Sequence, residues 1–210
     1  ILFSILSIIL FVNATNIIDG LHGLKTGTII IIITVFIYII PEYEIELIWF
    51  MYTLLITTGC FFIVNFFGGR VRSGDTGSYF LGFIIGATAI HLNNNDIIHS
   101  FHVACILLYP VFETIFSWLR RIINGTSPFQ PDQLHLHSLI YNFFEKDSNY
   151  SYLKSERKNQ LSSIIILLLQ LLFNFLVISL ASETPHFIIA ILTFIIIYIV
   201  IYSFLSNRIG

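Results

Sequence analysis

Six long apolar runs, at residues 26–40, 46–66, 76–92, 97–117, 161–181 and 186–206, leave this chain few ways to fold. Each approaches the roughly 20 apolar residues a helix needs to cross a bilayer, where every backbone N–H and C=O must be satisfied within its own segment. Of the 210 residues, 56% are hydrophobic and only 10% charged, which excludes a water-soluble domain of this size. The sequence therefore predicts an all-α, polytopic integral membrane protein with six complete transmembrane helices. Residues 1–12 read as part of a seventh at the amino terminus, and residues 1–210 as a single membrane domain belonging to a longer protein. Cys60 and Cys105 lie within apolar runs, where a thiol behaves as a small hydrophobe.

The charges orient these spans. If the six segments alternate, the loops on one side are 13–25, 67–75 and 118–160, together with the tail after 206, and all ten Lys and Arg residues fall there. The opposite loops, around Pro41–Ile45, Asn93–Asp96 and Ser182–Pro185, hold acidic residues and no Lys or Arg. Cationic loops stay on the cytoplasmic side of a membrane, so the basic side is expected to be cytoplasmic. His91, His99, His102 and His186 fall on or near the other side and read as interfacial residues. Residues 146–158 read as a solvated juxtamembrane stretch.

Three polar constellations sit on the basic side. In the first, Asn13, Asn16 and Asp19 recur every third residue and share one helical face, ahead of Gly20, His22 and Gly23. Amides and carboxylates at the end of a spanning helix are costly unless they face a polar cavity or a ligand, and oxygen donors of this kind suit Mg²⁺. A helix end with a turn at Asp19-Gly20 explains the glycines but not the spaced asparagines. The second constellation, Asn65 to Ser78, is a glycine-rich loop that carries Arg70 and Arg72 and delivers Asp75 to the start of the next helix. Free N–H groups at a helix start and two arginines favour an anion, although Asp75 could serve only as a helix cap.

The third constellation runs from Glu113 through Arg120 and Arg121 to His135, His137 and Ser138. Two histidines at i and i+2 without cysteine make a poor zinc signature, so phosphate or hydroxyl contacts fit better. Glu113 lies about two turns inside the preceding helix, where an ion pair is expected ahead of an exposed cavity position.

Together these segments resemble the polyprenyl-phosphate N-acetylhexosamine-1-phosphate transferases, relatives of the bacterial enzyme that makes the first lipid intermediate of peptidoglycan. Asn13 to Leu24 is similar to the family's Asn-x-x-Asn-x-x-Asp-Gly-x-Asp-Gly-Leu, Gly74 to Ser78 to its Met-Gly-Asp-x-Gly-Ser, and His135 to Ser138 to its His-x-His-His. The resemblance covers residues 11 to about 142. The approach through Ser127-Pro128-Phe129 and Pro131-Asp132 resembles the branch that starts O-antigen, enterobacterial common antigen or teichoic acid linkage units.

The resemblance implies transfer of a sugar 1-phosphate from a UDP-amino sugar to polyprenyl phosphate, with release of UMP, at the cytoplasmic face of the bacterial inner membrane. It implies Mg²⁺ or Mn²⁺ on Asp75 and Asn16, and catalytic roles for Asp19, Asp75, His135 and His137. Substrate contacts fall to Asn13, Gly20, His22, Arg70 and Arg72. The partners implied are the two substrates and the lipid bilayer, with no nucleic acid, and a homo-oligomer is compatible with the pattern.

His22 stands where the family has a second Asp, Arg72-Ser73 where it has Phe-Met, and Ser138 where it has a last histidine. These changes keep open a degenerate homologue that scaffolds other enzymes. The family's Asp-Asp-rich motif has no match in the 210 residues, so this chain alone is expected to be inactive. A transporter would instead place polar groups at helix midpoints.

Overall fold

The computed structural model describes residues 1–69, 71–127, 132–180 and 183–209, except the side chains of Leu180 and Ile209. Among the described residues the regular structure is entirely helical: α1 Leu2–Ile17, α2 Leu24–Ile39, α3 Ile45–Gly68, α4 Gly74–Asn94, α5 Ser100–Ile106, α6 Leu108–Ile123, α7 Leu136–Lys146, α8 Ser155–Leu180 and α9 Thr184–Ile209. A single 3₁₀ turn, Ser148–Tyr150, precedes α8.

By length and apolar content α3, α8 and α9 can each cross a membrane, and α5 with α6 is long and apolar enough only as a bent pair, the pattern of a broken span or a re-entrant loop. Helices α1 and α2 are apolar but have 16 residues each, about 24 Å of helix against a hydrocarbon core of about 30 Å. Helix α4 has the length but is diluted by Gly, Ser, Thr and Asn. Among the described residues the protein is thus all-α and multi-pass as expected, with three full-length crossings by this measure, or four if the bent pair is one span, where the sequence predicts six.

Helix α2 is apolar on every side, and such a helix belongs at the centre of a bundle. Ile29, Ile32, Ile33 and Phe36 are wholly buried, and α2 packs against α3, α4 and α8. Helix α1 runs antiparallel to α4: Thr15 lies level with Ser78 and Gly82, and Ile8 level with Gly86. A Cβ at Gly82 would meet the backbone Cα of Val12 at 2.9 Å, so only glycine permits this approach. Close packing over small residues replaces the hydrophobic drive that lipid does not supply.

Two expectations are corrected. The run at 97–117 is not one straight helix, because α5 and α6 meet at 77°. Pro110, in the first turn of α6, has no N–H to give to the carbonyl one turn back and its ring crowds that carbonyl, so the helix breaks at Leu107. The segment 118–160 is not simply a loop either. It holds the end of α6, all of α7 and the start of α8. Helix α7 buries Leu136, Leu139, Ile140 and Phe144 as one stripe against α8 and α9. Lys158, expected in solvent, is buried and donates to Glu145 at 3.0 Å.

A polar contact also joins α2 to α8 within the apolar interior, where Thr28 donates to Gln170 Oε1 at 3.0 Å. At the less basic end, Phe187 of α9 stacks on the rings of His99 and His102, and Glu44 lies 3.9 Å from His91. The opposite end gathers the three polar constellations.

Candidate active site

The site starts where α1 stops. Asn13, one turn inside α1, turns its amide back to the Ile9 carbonyl at 2.7 Å and is exposed. Asn16 is half-buried, and its side chain has no hydrogen-bond partner among the described residues. The chain then turns at Asp19-Gly20, with the Asp19 N–H still donating to the Asn16 carbonyl at 3.2 Å.

Lys25 ties this turn to the second constellation. Its ammonium, on a residue only 1% exposed, donates to Asp19 Oδ2 at 2.7 Å and to Ser78 Oγ at 2.8 Å, and also to Ser73 Oγ. Three donors thus meet three oxygens from α1's exit and α4's entry. Ser78 donates in turn to the Gly74 carbonyl at 3.0 Å, and Thr15 donates to the Ser78 carbonyl at 3.0 Å. In the sequence Lys25 stands out only as one of the basic-side charges, and its contacts with Asp19 and Ser78 join residues brought together by the fold. A signal was there: a cation in the first turn of a helix opposes the helix dipole and needs a counter-charge nearby.

Asp75, in the first turn of α4, is exposed, and its carboxylate has no hydrogen bond or ion pair among the described residues. Arg72, three residues earlier in the chain, is exposed, while Arg70 falls outside the described residues. Asn65 stitches the loop in place, accepting from the Gly23 N–H at 2.6 Å and donating to the Val71 carbonyl at 2.6 Å. The ring of His22 lies against Gly69 while its backbone N–H donates to Asn159 at 2.7 Å. Burial, and then the nearby Arg72 charge, hold the His22 imidazole below its ordinary pKa, so it stands neutral at pH 7.

The third constellation meets the first at Gly20. A Cβ there would overlap His137 Nε2 and lie 2.7 Å from its Cδ2, so the turn rests directly on the ring. His137 is 3% exposed, and its ring stacks on His135 with centroids 5.3 Å apart at 4°. His135 is held from α6: its Nδ1 lies 3.0 Å from both Glu113 Oε1 and Ser117 Oγ. Glu113 thus meets a histidine and not the Lys or Arg that the expected ion pair would call for. Asp132 joins Arg120 and lies 3.4 Å from Arg121 Nε. Burial disfavours its charge, but the Leu134 N–H and Arg120 outweigh that and keep its carboxyl below the usual range.

Gly20→Ala should separate the turn from α7, since the enclosed His137 ring has nowhere to move. Overpacking of this kind costs about 1–3 kcal/mol. Thermal unfolding should show that modest loss, with a larger loss of substrate affinity. Burial also lowers the His137 pKa from 6.5 to about 4. The unfolded chain then binds a proton on this group more readily than the folded one. Its contribution to stability is complete above pH 6.5 and drains away as pH falls to about 4, on the order of 3 kcal/mol in all. Unfolding midpoints measured from pH 7 to 4 should fall more steeply for the wild type than for His137→Gln.

The implied Mg²⁺ can be tested against these donors. Among the described residues no group of three or more His, Cys, Asp or Glu side chains converges on one point, and Asp19 is occupied by Lys25. Asp75 and Asn16 keep uncommitted oxygens. Oxygen donors of this kind suit Mg²⁺, which typically takes one or two protein oxygens and fills its shell with water and substrate phosphate.

The model of glycosyl transferase family 4 matches residues 1–93. Over 198 residues the chain is 28% identical to a probable undecaprenyl-phosphate N-acetylglucosaminyl 1-phosphate transferase of Bacillus subtilis, covering 93% of this chain and 52% of that protein. It is 40% identical over 138 residues to a phospho-N-acetylmuramoyl-pentapeptide-transferase of Acetivibrio thermocellus, covering 64% of this chain and 41% of that one. An undecaprenyl-phosphate alpha-N-acetylglucosaminyl 1-phosphate transferase of Thermotoga maritima is 27% identical over 129 residues, covering 61% and 39%. The chain thus spans about half, or less, of each relative's length. No solved structure matches it. The chain thus matches the model of glycosyl transferase family 4 over residues 1–93 and is similar along most of its length to a probable undecaprenyl-phosphate N-acetylglucosaminyl 1-phosphate transferase.

Proposed function

We propose that the protein of which this chain is part transfers an N-acetylhexosamine 1-phosphate from its UDP-sugar to polyprenyl phosphate, releasing UMP. The observation that carries this reading is the convergence on Asp19-Gly20, which Lys25 ties to the entry of α4 and which His137 supports from α7. An oxygen of the lipid phosphate attacks the sugar-bearing phosphorus, and the bond from that phosphorus to the UMP oxygen breaks. Charge develops on the phosphoryl oxygens, and fixed cations and donors there lower the barrier.

Asp75 and Asn16 would hold Mg²⁺, which supplies charge neutralisation at the diphosphate. Arg72, in the loop that leads into α4, binds phosphate oxygens or stacks on the uracil. Asp19, restrained by Lys25, sets the wall next to the diphosphate. The basic end faces the cytoplasm of a bacterial inner membrane under this reading, consistent with the distribution of Lys and Arg. The 210 residues by themselves are inactive, because the acceptor phosphate needs cationic or metal contacts from the rest of the protein.

The test is UMP release by the full-length protein in detergent, from UDP-N-acetylglucosamine and undecaprenyl phosphate with Mg²⁺. Release that stops with EDTA and returns with Mg²⁺ is expected. No release from any UDP-amino sugar, under conditions where a relative works, would refute the reading.

A further inference from the structure

Glu113 belongs to none of the three motifs that carry the family resemblance, yet its side chain is 0% exposed and lies at the centre of the third constellation. A carboxylate taken out of water stays charged only if donors replace its hydration. Three do. Oε1 accepts from the Leu136 N–H at 3.1 Å, which is the first N–H of α7, and from His135 Nδ1 at 3.0 Å. Oε2 accepts from the Tyr198 hydroxyl of α9 at 2.7 Å. One carboxylate thus caps α7 and joins α6, α7 and α9.

The consequence lies on the far side of the His135 ring. An ionised carboxylate cannot donate, so the shared proton sits on Nδ1, and a neutral imidazole then leaves a bare lone pair on Nε2. The Nδ1 contacts with Glu113 and Ser117, both lost if the ring turned over, fix which edge faces α6. A phosphate oxygen only accepts hydrogen bonds, and a lone pair facing it repels. A hydroxyl or amide N–H is the matching group.

We propose that Glu113 is a positioning residue that holds His135 in its Nδ1–H form, committing Nε2 to accept from a hydroxyl or acetamido N–H of the donor sugar. Phosphate contacts then fall to other groups. This rests on the UDP-sugar reading and narrows it, since it gives the site a reason to require a donor group on the sugar ring.

The primary test is the ¹⁵N spectrum of the full-length wild-type protein labelled at histidine, with His135 assigned by the signal lost in His135→Gln. A protonated Nδ1 and a bare Nε2 at pH 7.5 are expected. Both nitrogens protonated, or the proton on Nε2, would overturn the assignment. Kinetics supply a second readout. Glu113→Gln can still present an oxygen to His135 and Leu136 and an amide to Tyr198, so it should keep kcat within about tenfold. Glu113→Leu removes the acceptor and should lower kcat about 100-fold, as expected for a misplaced contact. Glu113→Gln as inactive as His135→Gln would contradict positioning by hydrogen bonding. Failure of the transferase reading would appear differently, as absent UMP release from wild-type protein whose His135 spectrum is as expected.

Discussion

Asp75→Asn is expected to abolish transfer while leaving the fold almost untouched. The two effects separate because Asp75 is exposed and its carboxylate bonds to no described residue. Its one structural contribution is a negative charge in the first turn of α4, where the helix dipole makes it worth about 0.3–1 kcal/mol. Loss of a metal-holding, charge-stabilising group in phosphoryl transfer costs far more, about 1000-fold in kcat. Equal thermal stability and a drop of that size in UMP release are the predicted pair of results. Activity that survives would remove the metal from Asp75 without touching the family resemblance.

Lys25→Met is expected to damage both fold and activity. The ammonium is buried with its three donors satisfied, so its loss leaves the Asp19 carboxylate and two serine hydroxyls facing an apolar side chain. Breaking a buried ion pair costs about 3–5 kcal/mol, and here the lower end applies because the Asp19 side chain is 18% exposed and can regain some water. The pair Lys25→Met with Asp19→Asn removes the stranded charge, so it should recover most of the stability in a double-mutant cycle. It should not recover transfer, because the link between the turn and α4 is still missing. Denaturation in detergent and UMP release, measured on the same four proteins, check both halves.

What was legible in the sequence was whatever depends on local pattern. Apolar runs marked the helices, the i, i+3, i+6 spacing of Asn13, Asn16 and Asp19 marked one face at the end of α1, and the charge distribution separated the two ends of the bundle. The bend at Leu107 was legible too, in Pro110, but the run at 97–117 is apolar enough to read as one span. Helix α7 was hidden among charged neighbours although its stripe of Leu136, Leu139, Ile140 and Phe144 has helical spacing.

Long-range pairings were not legible. Nothing in the spacing says that Lys25 meets Ser73 and Ser78, that Gly20 seats the His137 ring, or that Glu113 caps α7, since each joins residues far apart in the chain. The histidines are the sharpest case. As a motif they suggested a pair facing substrate together, whereas His135 is braced from behind by Glu113 and His137 is the ring beneath the Asp19-Gly20 turn.

The most direct measurement is the fate of the phosphate. Full-length protein would be given undecaprenyl phosphate, Mg²⁺ and UDP-N-acetylglucosamine carrying ³²P at the sugar-bearing phosphorus, and the lipid and aqueous products separated. Transfer of the sugar 1-phosphate predicts label in the lipid, with unlabelled UMP formed in equal amount. Label left in water as UDP, with an unlabelled glycolipid, would contradict the account, because the bond broken would then join sugar to phosphate instead of phosphate to phosphate.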